Sequence, residues 1–137
     1  MNKAKLLTAY LAGLPRVRTK WIDTSCAHFA ARWVQVVEDA DVTVGVRPPA
    51  SKADAARILR RAGGYQAFVT RQLGREPIAA TFARIGDLVL LPLPDGEPGA
   101  MALGICAGNG VAAFMTELGD VAYLSVARAT CAWRIGQ

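Results

Sequence analysis

Two hydrophobic patterns divide this chain near residue 76. Before that point, apolar residues recur at i, i+3 and i+4, which is the spacing of one face of a helix. From Ile78 onward they alternate or form short continuous runs, which is typical of β-strands. Helices followed by antiparallel strands predict an α+β fold, with N-terminal helices packed on a C-terminal antiparallel β-sheet. The length of 137 residues fits one domain with an N-terminal helix and connecting loop, a helical half and a β half, over residues 1–20, 21–75 and 76–137.

Capping and breaking residues set the predicted helix boundaries. Gly13 and Pro15 end the first helix or weaken its last turn, and Thr24 or Ser25 caps the second. Ser51 caps the third helix, which a Gly-Gly pair separates from the fourth. The second helix is the longest, and its acidic C-terminal end opposes the helix dipole, so this end either frays or meets a cation. The predicted helices are 3–14, 25–39, 52–62 and 65–73.

Glycine, proline and asparagine residues punctuate the second half into short strands. Asn109-Gly110 is the strongest hairpin signal in the chain, because both residues tolerate the positive φ that a two-residue turn requires. Asp87 stands at the start of one apolar run, where it is either a turn cap or a ligand or base. The predicted strands are 87–91, 101–107, 111–116, 121–125 and 130–135.

The composition indicates a protein that buries surface against partners as well as in its own core. The hydrophobic fraction is 53% and the mean hydropathy is +0.24, both high for a soluble monomer. No apolar run approaches the roughly 20 residues of a membrane-spanning helix, so no membrane span is expected. The first residues faintly resemble a signal peptide, but Gly13, Pro15 and Arg16 interrupt the apolar stretch and favour an N-terminal helix.

The net charge of +5 is unevenly distributed. Residues 1–75 carry 13 Lys and Arg against 5 Asp and Glu, a balance of +8, whereas residues 76–137 carry 3 against 6, a balance of −3. A nucleic-acid surface is one interpretation of the basic half. The arginines lie at helical spacing with few aromatic residues among them, which favours a solvated face or a face docked on an acidic protein. No nucleic-acid partner is therefore expected.

The cysteines indicate neither a metal site nor a disulfide framework. The chain has three, at 26, 106 and 131, an odd number without a CxxC pair. Cys106 and Cys131 fall in apolar strand segments and are predicted to be buried thiols. We therefore expect a protein that is made in a reducing cytoplasm and that holds no metal and no cofactor.

Three motifs occur in a recognisable order. Cys26 opens the longest predicted helix, where the dipole and free backbone amides lower the pKa of a thiol. Gly86-Asp87 follows much later, and then the strand segment that contains Leu103-Gly104-Ile105 and Gly108. Together with Trp21, these pieces resemble NlpC-like cysteine peptidases, and more closely the small relatives of that family in phage tail modules. The resemblance covers roughly residues 20 to 135.

The resemblance implies a catalytic site that has lost its base. In the family a histidine opens the second motif strand, and here Ala102 occupies that position. Ala112 and Ala113 lie in the region of the polar residue that would orient the histidine. The lone His28 is two residues from Cys26 on a helix and points away from it. Cys26 is therefore expected to be a vestigial nucleophile without activity, and apolar surroundings are expected to keep its thiol slow to react.

The function implied by the resemblance is structural. We expect a catalytically degenerate NlpC-like domain in the tail tip or baseplate of a siphophage-type virion, made in the host cytoplasm and bound to the tail hub and neighbouring tail-tip proteins. The interface candidates are Trp21, Arg57, Arg60 and Arg61. Two alternatives remain: a peptidoglycan-degrading cysteine peptidase that acts in genome entry with a histidine from another chain, and a tail assembly chaperone.

Overall fold

The computed structural model of the chain describes residues 2–14, 26–46, 49–93, 101–116 and 120–136. Within these ranges the fold is α+β, with N-terminal helices and C-terminal strands, as the hydrophobic pattern predicted. The helices are α1 Lys3–Ala12, α2 Cys26–Glu38, α3 Lys52–Arg61 and α4 Tyr65–Leu73. The strands are β1 Leu88–Pro92, β2 Met101–Gly108, β3 Val111–Met115, β4 Val121–Ser125 and β5 Cys131–Trp133. Short 3₁₀ turns span Ala80–Phe82 and Val126–Arg128. No helix in the described ranges is long and apolar enough to cross a membrane.

Local capping explains where the helices begin and end. Helix α1 stops two residues before its predicted end because Gly13 serves as its C-cap and donates its backbone N–H to Ala9. The Ser51 side chain caps α3 as predicted, accepting from the backbone N–H three residues later at 3.1 Å. Gly74, at φ +67, closes α4 in the left-handed conformation. The predicted cap at Thr24 or Ser25 lies outside the described residues.

The strands form one antiparallel sheet in the order β4-β3-β2-β1-β5. Strands β2 and β3 are joined by the predicted two-residue turn, since Gly108 pairs with Val111 across Asn109-Gly110. The turn residues have φ values of +55 and +74, the signs that a type I′ turn requires. A residue such as valine at either turn position would strain the hairpin.

Strand β5 spans Cys131–Trp133 and is shorter at both ends than its predicted range of 130–135. Its pairing with β1 ends at Trp133, and the backbone N–H of Ile135 donates to the Asp87 carboxylate rather than to a strand. Among the described residues, Ile78 is the one that pairs with the outer side of β5, where it exchanges two backbone hydrogen bonds with Ala132 at 2.7 and 2.9 Å. A side-chain acceptor therefore replaces strand pairing at the end of the chain.

The sheet has a hydrophobic cluster on each face. The larger one, here the helix-side core, lies between the sheet and α1, α2 and α4, and its strand residues include Leu103, Ile105 and Trp133. The smaller one, here the far-side cluster, lies under the two 3₁₀ turns and consists of Val89, Leu91, Cys106, Ala112 and Ala132. Because side chains alternate along a strand, membership in these clusters tells which face each strand residue occupies.

Candidate functional site

The proposed nucleophile position lies in the first described turn of the central helix. Helix α2 spans Cys26–Glu38, and Cys26 is its first described residue. His28 is half-buried and is engaged in an interaction of its own. Residues two apart on a helix project about 200° apart, so His28 does not face position 26. The side chain of Cys26 and all of Trp21 lie outside the described part of the structure.

Helix α2 is anchored to its neighbours by two side-chain hydrogen bonds. Trp33 is fully buried and donates from Nε1 to the carbonyl of Gly86 at 2.7 Å, which ties α2 to the Gly-Asp motif. The hydroxyl of Tyr10 donates to the carbonyl of Phe29 at 2.7 Å, and burial raises the pKa of Tyr10 to about 12, against a lowering by the charge of Arg32. These bonds fix the start of α2 against α1 and the sheet.

Position 102, where the sequence resemblance would place a histidine, does not face α2. Ala102 is 2% exposed and pairs with Leu91, whose side chain belongs to the far-side cluster. Cys106, four residues further along β2, belongs to the same far-side cluster, whereas the neighbouring residue Met101 packs on the helix-side core. A histidine at position 102 would therefore project away from the helix that Cys26 opens, so the structure does not bring these two positions to one face of the sheet.

The region expected to hold the orienting polar residue is apolar on both faces. Ala112 is fully buried in the far-side cluster. Ala113 is also fully buried and pairs with Ile105, so it faces the helices. Phe114 follows and is half-buried. None of these residues supplies a polar group that could orient an imidazole.

Gly104, the glycine of the strand motif, is explained by close packing of the sheet. A Cβ atom at this position would lie 2.9 Å from the carbonyl oxygen of Ala113 and 3.2 Å from Cδ1 of Leu91. The first contact is to backbone and cannot be relieved by a side-chain rotation. Glycine is thus required here by the approach of β3 to β2, and this part of the motif has no need of a bound ligand.

Asp87 is a buried structural acceptor, which confirms its interpretation as a turn cap. The residue is fully buried. Its Oδ2 accepts from the backbone N–H of Arg84 at 2.9 Å, and its Oδ1 accepts from that of Ile135 at 3.0 Å. The Nε atom of Arg134 lies 3.8 Å from Oδ2, and one of its terminal nitrogens donates to the carbonyl of Phe82. Both carboxylate oxygens are therefore occupied by the protein itself.

A second polar cluster, around Glu38 and Arg75, was not predicted from the sequence. Glu38 and Arg75 form a bidentate pair with both N–O distances at 2.7 Å. Arg75 also donates to the carbonyl of Arg134, and Glu38 accepts from the backbone N–H of Gly136 at 2.6 Å. The bond from Arg75 holds the pKa of Glu38 below its ordinary value, against the opposing effect of burial. The sequence signal for this cluster was the acidic C-terminal end of α2, which was predicted either to fray or to meet a cation. The structure shows the second outcome, because Arg75 pairs with Glu38.

Lys3 completes this arrangement, which we call the C-terminal clasp: Lys3, Glu38 and Arg75 holding residues 134–136. The Nζ of Lys3 donates to the carbonyl of Ile135 at 2.6 Å. Gly136 has φ +72, and a Cβ atom there would lie 2.5 Å from Cγ1 of Val37, so the last turn of the chain tolerates only glycine. The clasp borders an open groove of about 850 Å³ lined by Lys3, Val37, Glu38, Arg75, Glu76, Arg134 and Gly136.

Helix α3 presents a cationic face to solvent. Its exposed residues recur at i, i+3, i+4, i+7 and i+8, which is one side of a helix, and they are Ala53, Ala56, Arg57, Arg60 and Arg61. The acidic residue of this helix, Asp54, is buried beside this face and accepts from the backbone N–H of Ala50 at 2.9 Å. We call these five exposed residues the α3 face. Its charge is available for a partner, except that Arg57 lies 3.9 Å from Asp54.

The two cysteines of the β half are buried and free, as predicted. Cys106 lies in the far-side cluster and Cys131 in the helix-side core, so the sheet separates them. Burial raises the pKa of both thiols, that of Cys131 to about 11. Across the described ranges, no three His, Cys, Asp or Glu side chains gather in a metal-binding arrangement.

Comparison with known proteins identifies the family but no activity. No curated protein matches the chain. A family model described as "Domain of unknown function (DUF6950)" matches residues 2–135. Because the match extends over almost the whole length, the chain belongs to the DUF6950 family.

Proposed function

We propose that this protein is a non-enzymatic structural component of a siphophage-type tail tip or baseplate, a catalytically degenerate NlpC-like domain that binds hub proteins. The observation that carries the loss of catalysis is that β2 offers no imidazole on either face: Met101, Leu103 and Ile105 lie on the helix side, and Ala102, where the resemblance would place the histidine, lies on the far side. Ala102, Ala112 and Ala113 are all buried alanines. A cysteine peptidase needs an imidazole to take the thiol proton and protonate the leaving group, and these positions offer none.

The placement in a tail tip is supported by the order of the motifs and by the surface. Helix α2 begins at Cys26 and packs across β2, the strand with the glycine motif, and this is the order of elements in the phage relatives that the sequence resembles. The α3 face adds a compact cationic surface. Its expected occupant is an acidic patch of a hub protein, because exposed arginines form bidentate pairs with carboxylates.

The direct test of this function is the composition of the particle. We expect the protein in purified virions of a phage that encodes it, at a stoichiometric ratio to the hub protein, by quantitative mass spectrometry. Immunogold labelling is expected at the end of the tail distal to the head. A protein that is abundant in lysates during assembly but missing from finished particles would instead be an assembly chaperone.

The α3 face is tested by charge reversal with a matched control. The triple variant Arg57→Glu, Arg60→Glu, Arg61→Glu is expected to lower incorporation into particles at least about tenfold, because three favourable pairs become repulsive. The control variant Lys5→Glu, Arg71→Glu, Arg84→Glu makes the same change in net charge at exposed positions elsewhere. Equal incorporation of both variants would mean that the α3 face is only a solvated surface.

The peptidase alternative has one observation in its favour, which is that Cys26 is the first described residue of α2. That placement suits a thiolate, and the missing imidazole would have to come from another chain. We expect no cleavage of purified peptidoglycan by the isolated protein or by the protein mixed with its hub partner. Release of muropeptides by the wild type, lost in Cys26→Ala, would establish the enzyme instead.

A further inference from the structure

The turn between β2 and β3 places the single Asn-Gly sequence of the chain at an exposed hairpin tip. The chain has two asparagines, Asn2 and Asn109, and only Asn109 precedes a glycine. Asn109 and Gly110 are both exposed. A Cβ atom added to Gly110 would meet nothing within 4 Å apart from its chain neighbours, so there is open space around this residue. Asparagine is one of the chemically labile residues of proteins, and here it is open to water.

These two residues can react with each other and then with water. The backbone nitrogen of Gly110 attacks Cγ of Asn109, so that a C–N bond forms while the Cγ–Nδ2 bond breaks. The hydrogen of the Gly110 amide leaves with the side-chain NH2 group as ammonia, and a cyclic succinimide remains. Water then opens the ring at Cγ to give aspartate, or at the main-chain carbonyl carbon to give isoaspartate. The ring closure is intramolecular, and glycine has no Cβ that would hinder the attacking nitrogen.

The resting turn holds the two reacting atoms apart. Asn109 has φ +55 and Gly110 has φ +74, which are the signs of a type I′ turn. The first residue of this turn type has a ψ of about +30°, the mirror image of type I. At that angle the Gly110 nitrogen is turned away from Cβ of Asn109 about the Cα–C bond. The attack on Cγ therefore cannot occur in the resting turn.

A flip of one peptide group brings the two atoms together. Type II′ is the other common turn of two-residue hairpins, and its first residue keeps a positive φ but has a ψ of about −120°. At this ψ the Gly110 nitrogen eclipses Cβ of Asn109, which is the geometry that ring closure needs. The flip rotates only the peptide group between these residues, so the pairing of Gly108 with Val111 stays in place. The carbonyl of Gly110 also stays bonded to the backbone N–H of Val126, at 2.8 Å.

We propose that Asn109 is a site of spontaneous modification in the folded protein, converted to aspartate and isoaspartate through a succinimide with Gly110 when the turn flips from type I′ to type II′. Gly110 permits the flip, because glycine accepts the positive φ of the first type and the negative φ of the second. Asn109 keeps the flip rare, since type II′ favours glycine at its first position. Each conversion adds a negative charge to the hairpin tip, and isoaspartate also lengthens the main chain by one carbon. This inference goes beyond the proposed function and does not depend on it.

The first test separates a flip of the turn from unfolding of the protein. The wild type is incubated near neutral pH in water enriched in heavy oxygen, at urea concentrations below the unfolding transition, and is mapped by peptide mass spectrometry. We expect Asn109 to take up solvent oxygen at a rate that urea leaves unchanged within about twofold, because the flip exposes little new surface. Asn2, which a lysine follows, is the internal control and is expected to stay intact. A rate that rises in proportion to the unfolded population, or no conversion beyond that of Asn2, overturns the proposal.

The second test sets the turn type with the two mirror forms of alanine. Gly110→Ala disfavours the positive φ of type I′ and so favours type II′, whereas D-alanine at position 110 does the reverse. Both place the same methyl group beside the attacking nitrogen. The two proteins are prepared by ligation of a synthetic segment at Cys106, and each rate is divided by the rate of the same protein in denaturing urea. We expect Asn109 to convert at least about tenfold faster in the L form, as the cost of a left-handed L residue implies. Equal normalised rates would show that the turn type does not control the reaction, and they would overturn the proposal.

Discussion

The carboxylate of Asp87 accepts a hydrogen bond from the backbone N–H of Ile135, 48 positions further along the chain and 3.0 Å away. The other carboxylate oxygen accepts from the backbone N–H of Arg84. One buried side chain thus satisfies two backbone donors, one at the entry to β1 and one just after β5. The Gly-Asp motif therefore has a structural role, because Asp87 joins the start of the sheet to the segment after β5. Gly86 adds a contact to α2, since its carbonyl accepts from Nε1 of Trp33.

The first prediction concerns this junction. Asp87→Ala is expected to lower the free energy of unfolding by about 2–5 kcal/mol, because one buried and one partly buried backbone donor lose their acceptor. Asp87→Asn is expected to cost less, since its amide oxygen can still accept one of the two bonds. Urea denaturation followed by circular dichroism measures both, with the exposed Glu76→Ala as control. Stabilities within about 0.5 kcal/mol of the wild type would contradict the role assigned to Asp87.

The second prediction is a pH dependence that originates in the C-terminal clasp. The hydrogen bond from Arg75 lowers the pKa of Glu38 from its ordinary value of 4.5 in the folded protein. A depressed folded pKa means that this stabilisation is present above the unfolded pKa and is lost as the pH falls through the folded one. Stability is therefore expected to decline as the pH drops below about 4.5.

Glu38→Gln tests that assignment. The amide cannot form the charge-assisted bidentate pair, so we expect a loss of about 1–3 kcal/mol at neutral pH. The difference from the wild type is expected to shrink in acid, where Glu38 itself becomes protonated. Thermal unfolding between pH 2 and 7 measures this, and Glu76→Gln is the exposed control next to the clasp. A difference that stays constant with pH would mean that Glu38 contributes by packing and not by its charge.

Local signals in the sequence were sufficient for most of the fold. Caps, glycines and the change of hydrophobic period placed the described helices and strands within a few residues, since each signal acts within one turn of chain. The predicted C-terminal end of β5 was wrong because the actual end depends on Asp87, an acceptor 48 residues before Ile135 in the sequence. The clasp was missed for the same reason: Glu38 meets Arg75 and Gly136 only after the fold has formed. The face occupied by Ala102 likewise follows from its pairing with Leu91 and not from the motif.

The third prediction concerns thiol reactivity. Cys106 and Cys131 are expected to resist alkylation in the native protein near neutral pH, because both are buried and burial raises the pKa of both thiols. The sequence predicts that Cys26 reacts no faster, since apolar residues replace the polar partners of a nucleophile. A time course of iodoacetamide labelling read by peptide mass spectrometry compares the three, with denatured protein as control. Rapid and selective labelling of Cys26 would favour the peptidase alternative.

The fourth prediction is that a histidine at position 102, where the resemblance to NlpC-like peptidases would place it, does not create an enzyme. Ala102 faces the far-side cluster beside Leu91, so the imidazole of Ala102→His would project away from α2. It would also enter a site where alanine is 2% exposed, and such overpacking costs about 1–3 kcal/mol. We therefore expect a destabilised variant that releases no muropeptides from peptidoglycan.

The matched variant is Met101→His, which puts the same side chain one position earlier, on the helix-side face where residue 101 is half-buried. It is expected to be destabilised less, because methionine already fills that space. Chromatography of peptidoglycan digests detects any released muropeptides, and thermal unfolding compares the stabilities of the two variants. Cleavage that appears in Ala102→His and disappears when Cys26→Ala is added would show that position 102 reaches the start of α2. The orientation read from the Leu91 pairing would then be wrong, and the peptidase alternative would be favoured.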